Sequence, residues 1–298
     1  MIINSQNIRS MEVGFQTAFN KGIRSKEPEY GLVATVVNSN TSEENYGWLG
    51  QIPQMREWVG ERVLKNLSAY TYTIRNKRFE STVSIDRDEV EDDRFGVYAP
   101  VVQGMGAQAK VAPDKTIFGL FHLGFTEKCF DGKPFFSDKH PVGDEKKSTY
   151  SNLGKKKLTQ ESFLTARSGM MSLVGDKGDT LDLIPDLLVV PPALEAKAKE
   201  ILEADTINGS TNVTKGMAKY KVSTQLAAQP DEWFLLCTNE FLKPFILQMR
   251  RKPEFTGMTK GTDENVFLRN EYVYGTDGRW NGGYGFPQMA YGSSGEEA

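Results

Sequence analysis

Histidine and cysteine are scarce in this 298-residue chain: His122, His140, Cys129 and Cys237 are all there are. Two cysteines so far apart in sequence read as reduced packing residues rather than a disulfide framework. Cys129 and His140 lack the C-x-x-C or H-x-x-x-H companions that zinc spacing needs. No G-x-S-x-G nucleophile elbow is present. The glycine-rich run Gly275–Gly285 lacks the G-x-x-x-x-G-K-[ST] order that cradles phosphates. No apolar run approaches the roughly 18 residues of a membrane span. The start, MIINSQNIRSMEVGF, has no apolar core of the secretory type. Basic charge is not in excess either: the net charge is −3 and the pI about 5.7, which argues against a dedicated nucleic-acid binder. These absences leave no convergent catalytic set, no implied metal or cofactor, and a chain expected to work in a cytoplasm.

What is present is an ordinary globular composition, 39% hydrophobic and 25% charged, enough for one large domain or two moderate ones. The distinctive stretch is Asn45–Gly60, NYGWLGQIPQMREWVG, which follows neither helical nor strand periodicity. Rigid tryptophans on a glycine-punctuated segment anchor into pockets on a neighbour or fold back on their own domain.

Upstream, residues 1–40 read as an arm. Gln6–Asn20 is a short amphipathic helix, Pro28 a break, and Leu32–Val37 a β-branched strand. From about residue 45 to 85 the pattern is a long hairpin-like excursion. Tyr70, Tyr72 and Ile74 alternate with threonines and an arginine, Asn76-Lys77 is a turn, and Phe79 to Ile85 return. Asp88, Glu89, Glu91, Asp92 and Asp93 then bias a helix start, where carboxylates meet the positive end of the helix dipole; a divalent-metal site is the weaker reading of them. Phe95, Tyr98, Val102, Met105, Ala109 and Ala112 form one helical stripe. Pro113 is expected to kink or break it before Ile117, Leu120, Phe121 and Phe125. A run of about 30 residues, roughly 45 Å, is long for a compact domain and reads as a strut.

Beyond it, Asp131-Gly132 has turn chemistry, and lysine-rich 143–157 is a candidate mobile surface loop. Thr159–Leu173 reads as helix, Asp186–Val190 as a buried strand, and Ala193–Glu203 as a helix opened by Pro191-Pro192. Asn208–Gly216 is a loop; Lys221–Gln225 and Trp233–Thr238 are strands. Glu271–Tyr274 and Phe286–Tyr291 bracket a glycine-rich turn. His122 reads as a packing or surface residue. Met249–Lys252 and Lys155–Lys157 are small basic clusters of a solvated surface.

Several long phrases carry a family resemblance: NYGWLGQIPQMREWVGER (Asn45–Arg62), FESTVSIDRDEVEDDRFGVYAP (Phe79–Pro100), PDKTIF (Pro113–Phe118), CFDGKPFFSDKHPV (Cys129–Val142), KPFILQMRRKPEF (Lys243–Phe255) and NEYVYGTDGRWNGGYGFPQMA (Asn270–Ala290). With these the chain resembles the Mu-like phage and prophage major head subunits, the gpT family, nearly end to end. The resemblance implies an α+β chain with the major capsid fold shared by tailed phages and herpesviruses. Its expected parts are an N-terminal arm (1–44), an E-loop hairpin (45–87), a P-domain with a long spine helix (88–158), and an A-domain with C-terminal strands (159–298). Whether those last strands return to the P-domain or complete the A-domain is open at this point.

The implied function is structural, not enzymatic: a head subunit forming hexamers and pentamers of an icosahedral shell. Separate scaffold and portal proteins and non-specifically contacted double-stranded DNA are its expected partners, with no membrane. The E-loop would cross a neighbouring subunit through Trp48 and Trp58, flanked by Arg56, Glu57, Glu61 and Arg62. The alternatives are an encapsulin-like compartment shell and a soluble α/β enzyme working through His122, His140 or Cys129.

Overall fold

A computed structural model of the protein describes residues 5–47, 71–91, 95–142, 148–175 and 180–297. In chain order the elements begin with α1 (Ser5–Ser25), α2 (Tyr30–Val33), β1 (Ala34–Asn38), β2 (Glu43–Asn45), β3 (Thr73–Arg75) and β4 (Lys77–Asp86). Then come α3 (Arg87–Glu91), α4 (Phe95–Leu123), β5 (His140–Val142), β6 (Ser148–Tyr150), β7 (Leu153–Lys156) and α5 (Gln160–Met171). The remainder is β8 (Leu187–Val190), α6 (Glu195–Glu203), β9 (Thr206–Ile207), β10 (Ser210–Thr211), β11 (Lys219–Val222), β12 (Trp233–Leu236), β13 (Phe245–Met258), α7 (Glu264–Arg269), β14 (Glu271–Tyr284) and β15 (Ala290–Glu297).

Two mixed sheets carry the architecture. The first has the order β1-β13-β14-β4, with β1 parallel to β13 and the rest antiparallel. The second has the order β11-β8-β12-β15-β7, parallel at both outer pairs. The second sheet is buried on both faces, which is why β8 and β12 read as unbroken apolar runs. Leu187, Val189, Phe234 and Leu236 face a core shared with α4 and the first sheet. Leu188, Val190, Trp233 and Leu235 face α5 and α6. The C-terminal strands divide between the two bodies, β14 in the first sheet and β15 in the second.

Helix α4 spans 29 residues, about 43 Å, and passes through both Pro100 and Pro113 without ending. The break expected at Pro113 does not occur. Packing on both sides of the proline holds the helix together: Val102 and Ala109 lie against α1, while Ile117, Phe118 and Phe121 are buried against the sheets. Burying one such Phe contributes about 1.5–3 kcal/mol, so the flanking contacts together offset the ~3 kcal/mol a proline costs inside a helix.

Other local expectations shift for similar reasons. The arm helix runs to Ser25, with Met11, Phe15 and Phe19 inward, and β1 begins at Ala34 after a single helical turn. The hairpin turn expected at Asn76-Lys77 is not formed, because β3 pairs with β2 and β4 pairs with β14. Asn76 is buried, and its backbone N–H donates to Ser42 O (3.0 Å) while Nδ2 donates to Ser39 Oγ and Thr41 O (both 3.0 Å). It therefore pins β3 to the chain before β2 instead of reversing direction.

Part of the lysine-rich stretch is strand rather than loop: β7 finds a parallel partner in β15, far along the chain, and β6 pairs with β5. Asn208 and Gly209, at φ of 50° and 78°, turn β9 into β10, the Asn-Gly pattern of a tight hairpin inside what reads as loop. The largest revision is at 275–285. Its glycines lie in the 14-residue β14 and its end, not in a turn. A Cβ at Gly285 would press on the Lys243 and Pro244 carbonyl oxygens (both 2.9 Å), and one at Gly282 on the Cδ1 ends of Ile117 and Leu120 (both 2.9 Å). The chain entering β13 thus approaches Gly285 closer than a side chain permits, and α4 side chains pack directly on Gly282.

Candidate assembly surfaces and buried polar clusters

The arm and the strut meet through glycine. Gly22 of α1 faces the backbone of Gln103 and Ala107, and Gly106 of α4 faces Phe19 and Ile23, so the two helices touch backbone to backbone. Where α1 ends, Asp114 of α4 accepts from Glu29 N (2.9 Å) and Tyr30 N (2.6 Å), closing the start of α2 from across the fold. Glu29 also accepts from Lys221 Nζ of β11 (2.5 Å), so the arm, the strut and the second sheet converge at one point. Burial raises the Asp114 carboxyl above its usual range, against the two N–H donors; the Glu29 charge adds to the rise and Lys221 opposes it.

A second cluster holds the base of the 46–72 segment. Because β2 and β3 are antiparallel partners, that segment begins and ends at one place. Tyr46 N–H donates to Tyr72 O (2.7 Å). The Tyr46 hydroxyl donates to Oε1 of fully buried Gln248 (2.9 Å), whose Nε2 donates to Ile74 O (3.0 Å). Gln248 on β13 thereby fastens both strands of the base to the first sheet. The Tyr72 hydroxyl accepts from Tyr284 N (2.9 Å), and burial pushes its pKa up to about 12. The expected interface residues Trp48, Arg56, Glu57, Trp58, Glu61 and Arg62 lie outside the described residues. The other two of the four tryptophans are core residues with satisfied indoles: Trp233 Nε1–H donates to Lys156 O (2.9 Å) and Trp280 Nε1–H to Thr116 Oγ1 (3.1 Å).

Sequence reasoning passed over a third surface. The long β13–β14 hairpin ends in α7, where Phe267 is 80% and Leu268 66% exposed, and Met258, the last residue of β13, is exposed too. An FL pair in a short polar helix at a hairpin tip was its signal, one that the turn assignment at 275–285 conceals. Arg251 in the basic cluster pairs with Asp277 across the same hairpin, and Arg250 donates to Ser39 O (3.2 Å). Both are thus engaged within the chain.

The residues weighed for catalysis fall into two separate groups. His122, half-exposed at the end of α4, contacts Glu232 (2.7 Å), a carboxyl raised by burial against the pull of His122. His140 and Cys129 sit elsewhere and meet over Asp131. His140 Nδ1 lies 2.6 Å from Asp131 Oδ2, and the Cys129 thiol donates to Asp131 Oδ1 (3.1 Å). Burial raises the Cys129 thiol far above its usual range, with the Asp131 charge adding to it, so no thiolate nucleophile is poised there. Asp131 is held low: burial would raise it, but the hydrogen bonds from His140 and Lys133 N outweigh burial. Cys237 is likewise buried, and burial pushes its thiol up to about 12. Of the acidic cluster at 88–93, Asp92 and Asp93 lie outside the described residues; Asp88 N donates to Asp86 Oδ1 (2.8 Å).

The model of the Mu-like prophage major head subunit gpT matches residues 8–156, 149–226 and 217–297. The chain belongs to that family. It is 33% identical to the major capsid protein of Escherichia phage Mu over 296 residues, covering 99% of this chain and 76% of that protein. It is 31% identical to the Mu-like prophage FluMu major head subunit of Haemophilus influenzae, covering 97% of this chain and 73% of that one. A chain from the procapsid of bacteriophage JBD30 superposes with a TM-score of 0.63 at 33% identity, over 98% of this chain and 76% of that chain. This gpT-family chain is therefore a major head subunit with the tailed-phage capsid fold, a structural component of a shell built from many capsid subunits. No helix among the described residues is long and apolar enough to cross a membrane.

Proposed function

We propose that this gpT-family subunit assembles through hexamers and pentamers into an icosahedral head around double-stranded DNA, with residues 45–87 as the E-loop that links neighbours. The carrying observation is the fastened base: β2, β3 and Gln248 hold both ends of the 46–72 segment together on the first sheet. That segment contains Trp48 and Trp58. Trp48 and Trp58 act as its anchors on the adjacent subunit, with Arg56, Glu57, Glu61 and Arg62 as rim ion pairs worth about 0–1 kcal/mol each. Weak contacts suit a closed lattice, which multiplies them and lets wrong ones dissociate.

In this reading residues 1–44 are the arm, 88–158 the P-domain around α4, and 159–298 the A-domain and C-terminal strands, with β13 and β14 returning to the sheet that packs on α4 and β15 staying in the sheet of β8 and β12. Assembly takes place in the host cytoplasm with a separately encoded scaffold and a portal, and involves no catalytic step. The mild acidity of the chain fits loose contact with packaged DNA, since a basic wall would retain it.

Velocity sedimentation and negative-stain imaging of the purified chain, alone and co-expressed with scaffold, test this. Rings, tubes or shells are expected, and W48A/W58A should lose them while keeping a folded subunit. A stable monomer or dimer at high concentration in the presence of scaffold overturns the proposal.

A further inference from the structure

The fold brings together three buried side chains that the sequence spacing gives no reason to group. Cys129 and Asp131 stand on a tight turn closed by Gly132, at φ 80°, with Cys129 N–H donating to Lys133 O (2.8 Å). His140 opens β5. One ligand-capable atom from each lies within 4.8 Å of the others, and Cys129 is 4% and His140 0% exposed. The surroundings are aromatic: Phe135 and Phe136 are buried alongside, and the Tyr150 ring stacks on His140 at 5.1 Å. A thiol, a carboxylate and an imidazole converging in such a setting form the donor set of a borderline-soft divalent cation.

We propose that Cys129, Asp131 and His140 form a binding site for one transition-metal dication of the zinc type. The orienting contacts are already in place. His140 Nε2–H donates to Phe135 O (3.1 Å), which directs Nδ1 toward the ion, and Lys133 N–H donates to Asp131 Oδ1 (2.9 Å), which orients the carboxylate.

The exchange balances. A dication displaces the Cys129 thiol proton, and the proton of the Nδ1–Oδ2 hydrogen bond, to solvent. It leaves thiolate, carboxylate and neutral imidazole, two negative charges around a 2+ ion, so the loaded site carries no net charge into the core.

Bond lengths of about 2.0–2.3 Å put tetrahedral ligands roughly 3.3–3.8 Å apart, so the 2.6 Å Nδ1–Oδ2 contact opens by about 1 Å. Lys133 and Gly132 of the same turn are exposed, which places solvent within reach of Asp131 as the source of a fourth ligand.

The test uses the full chain, stripped with a chelator and titrated with Co2+, then with Zn2+ in competition. One equivalent of Co2+ is expected, with a near-ultraviolet thiolate-to-cobalt band. Zn2+ should abolish that band and raise the thermal midpoint. C129S should eliminate the band, and D131N should weaken binding at least ~10-fold. A folded wild-type chain that shows no thiolate band overturns the proposal, whatever the variants do. So does binding that C129S leaves unchanged. Both readouts are independent of shell assembly.

Discussion

Two glycines three turns from the same end of α4 make opposite predictions. Gly104 is exposed, and a Cβ there meets nothing within 4 Å. Replacing it with alanine removes backbone freedom from the unfolded chain and should stabilise by about 0.5–1 kcal/mol. Gly106 has the same intrinsic gain available, but its Cβ would overlap Phe19 O and lie 3.0 Å from Phe19 C and 3.2 Å from Ile23 N. These are backbone atoms of α1, which no rotamer change can move aside. The helices must separate, loosening Met11, Phe15 and Phe19 in the core they share with Val102 and Ala109.

Overpacking of this kind costs about 1–3 kcal/mol, so after the propensity gain G106A should destabilise by roughly 1–2 kcal/mol. For a chain of this size that is a fall of about 2–6 °C in thermal midpoint, against a small rise for G104A. G22A, whose Cβ would overlap Gln103 O, should behave like G106A. The double variant should cost less than the sum, because one separation of the helices relieves both. Thermal and urea unfolding of the unassembled subunit measure this, and limited proteolysis should show faster loss of α1 in G106A. If G106A proves as stable as G104A, the backbone contact between arm and strut is wrong.

Two further predictions follow from the polar clusters. Gln248→Leu leaves the Tyr46 hydroxyl and the Ile74 carbonyl without their buried partner and should cost about 2–4 kcal/mol, with faster protease cleavage within 46–72; unchanged cleavage would detach Gln248 from the loop base. Asp114 has a folded-state pKa above its unfolded one, so its contribution to stability is full at low pH and is lost as pH rises through the raised value. Comparing Asp114→Asn with the parent by thermal unfolding should show the parent gaining relative to the variant on acidification from pH 7 toward 4, and a pH-independent difference would contradict that sign.

Local periodicity announced the elements whose own residues settle them. The stripe from Val102 to Phe121 made α4, the amphipathic arm made α1, and the apolar run Leu187–Val190 made a two-faced strand. Thr159 was legible as a helix start, and the structure gives it a reciprocal cap with Ser162. The elements misread are those whose partner lies far along the chain. Leu153–Lys156 is polar and becomes strand only because Gly292 and Ser293 pair with it. Asn76 resembles a turn residue until the 39–42 segment accepts from its backbone N–H and its Nδ2. The 275–285 run carries an alternating inward set, Thr276, Gly278 and Trp280, that its glycines disguise.

By itself the sequence determined the class of the protein, its strut and its family, because helical stripes and long shared phrases are properties of contiguous residues. Only the tertiary structure decided which residues meet. It ran α4 unbroken through Pro113, since the packing on either side outweighs one lost backbone hydrogen bond. It fastened the loop base through Gln248, 202 positions from Tyr46. It also set Asp131 between Cys129 and His140, a grouping that follows from a glycine turn and a strand start rather than from any spacing in the chain.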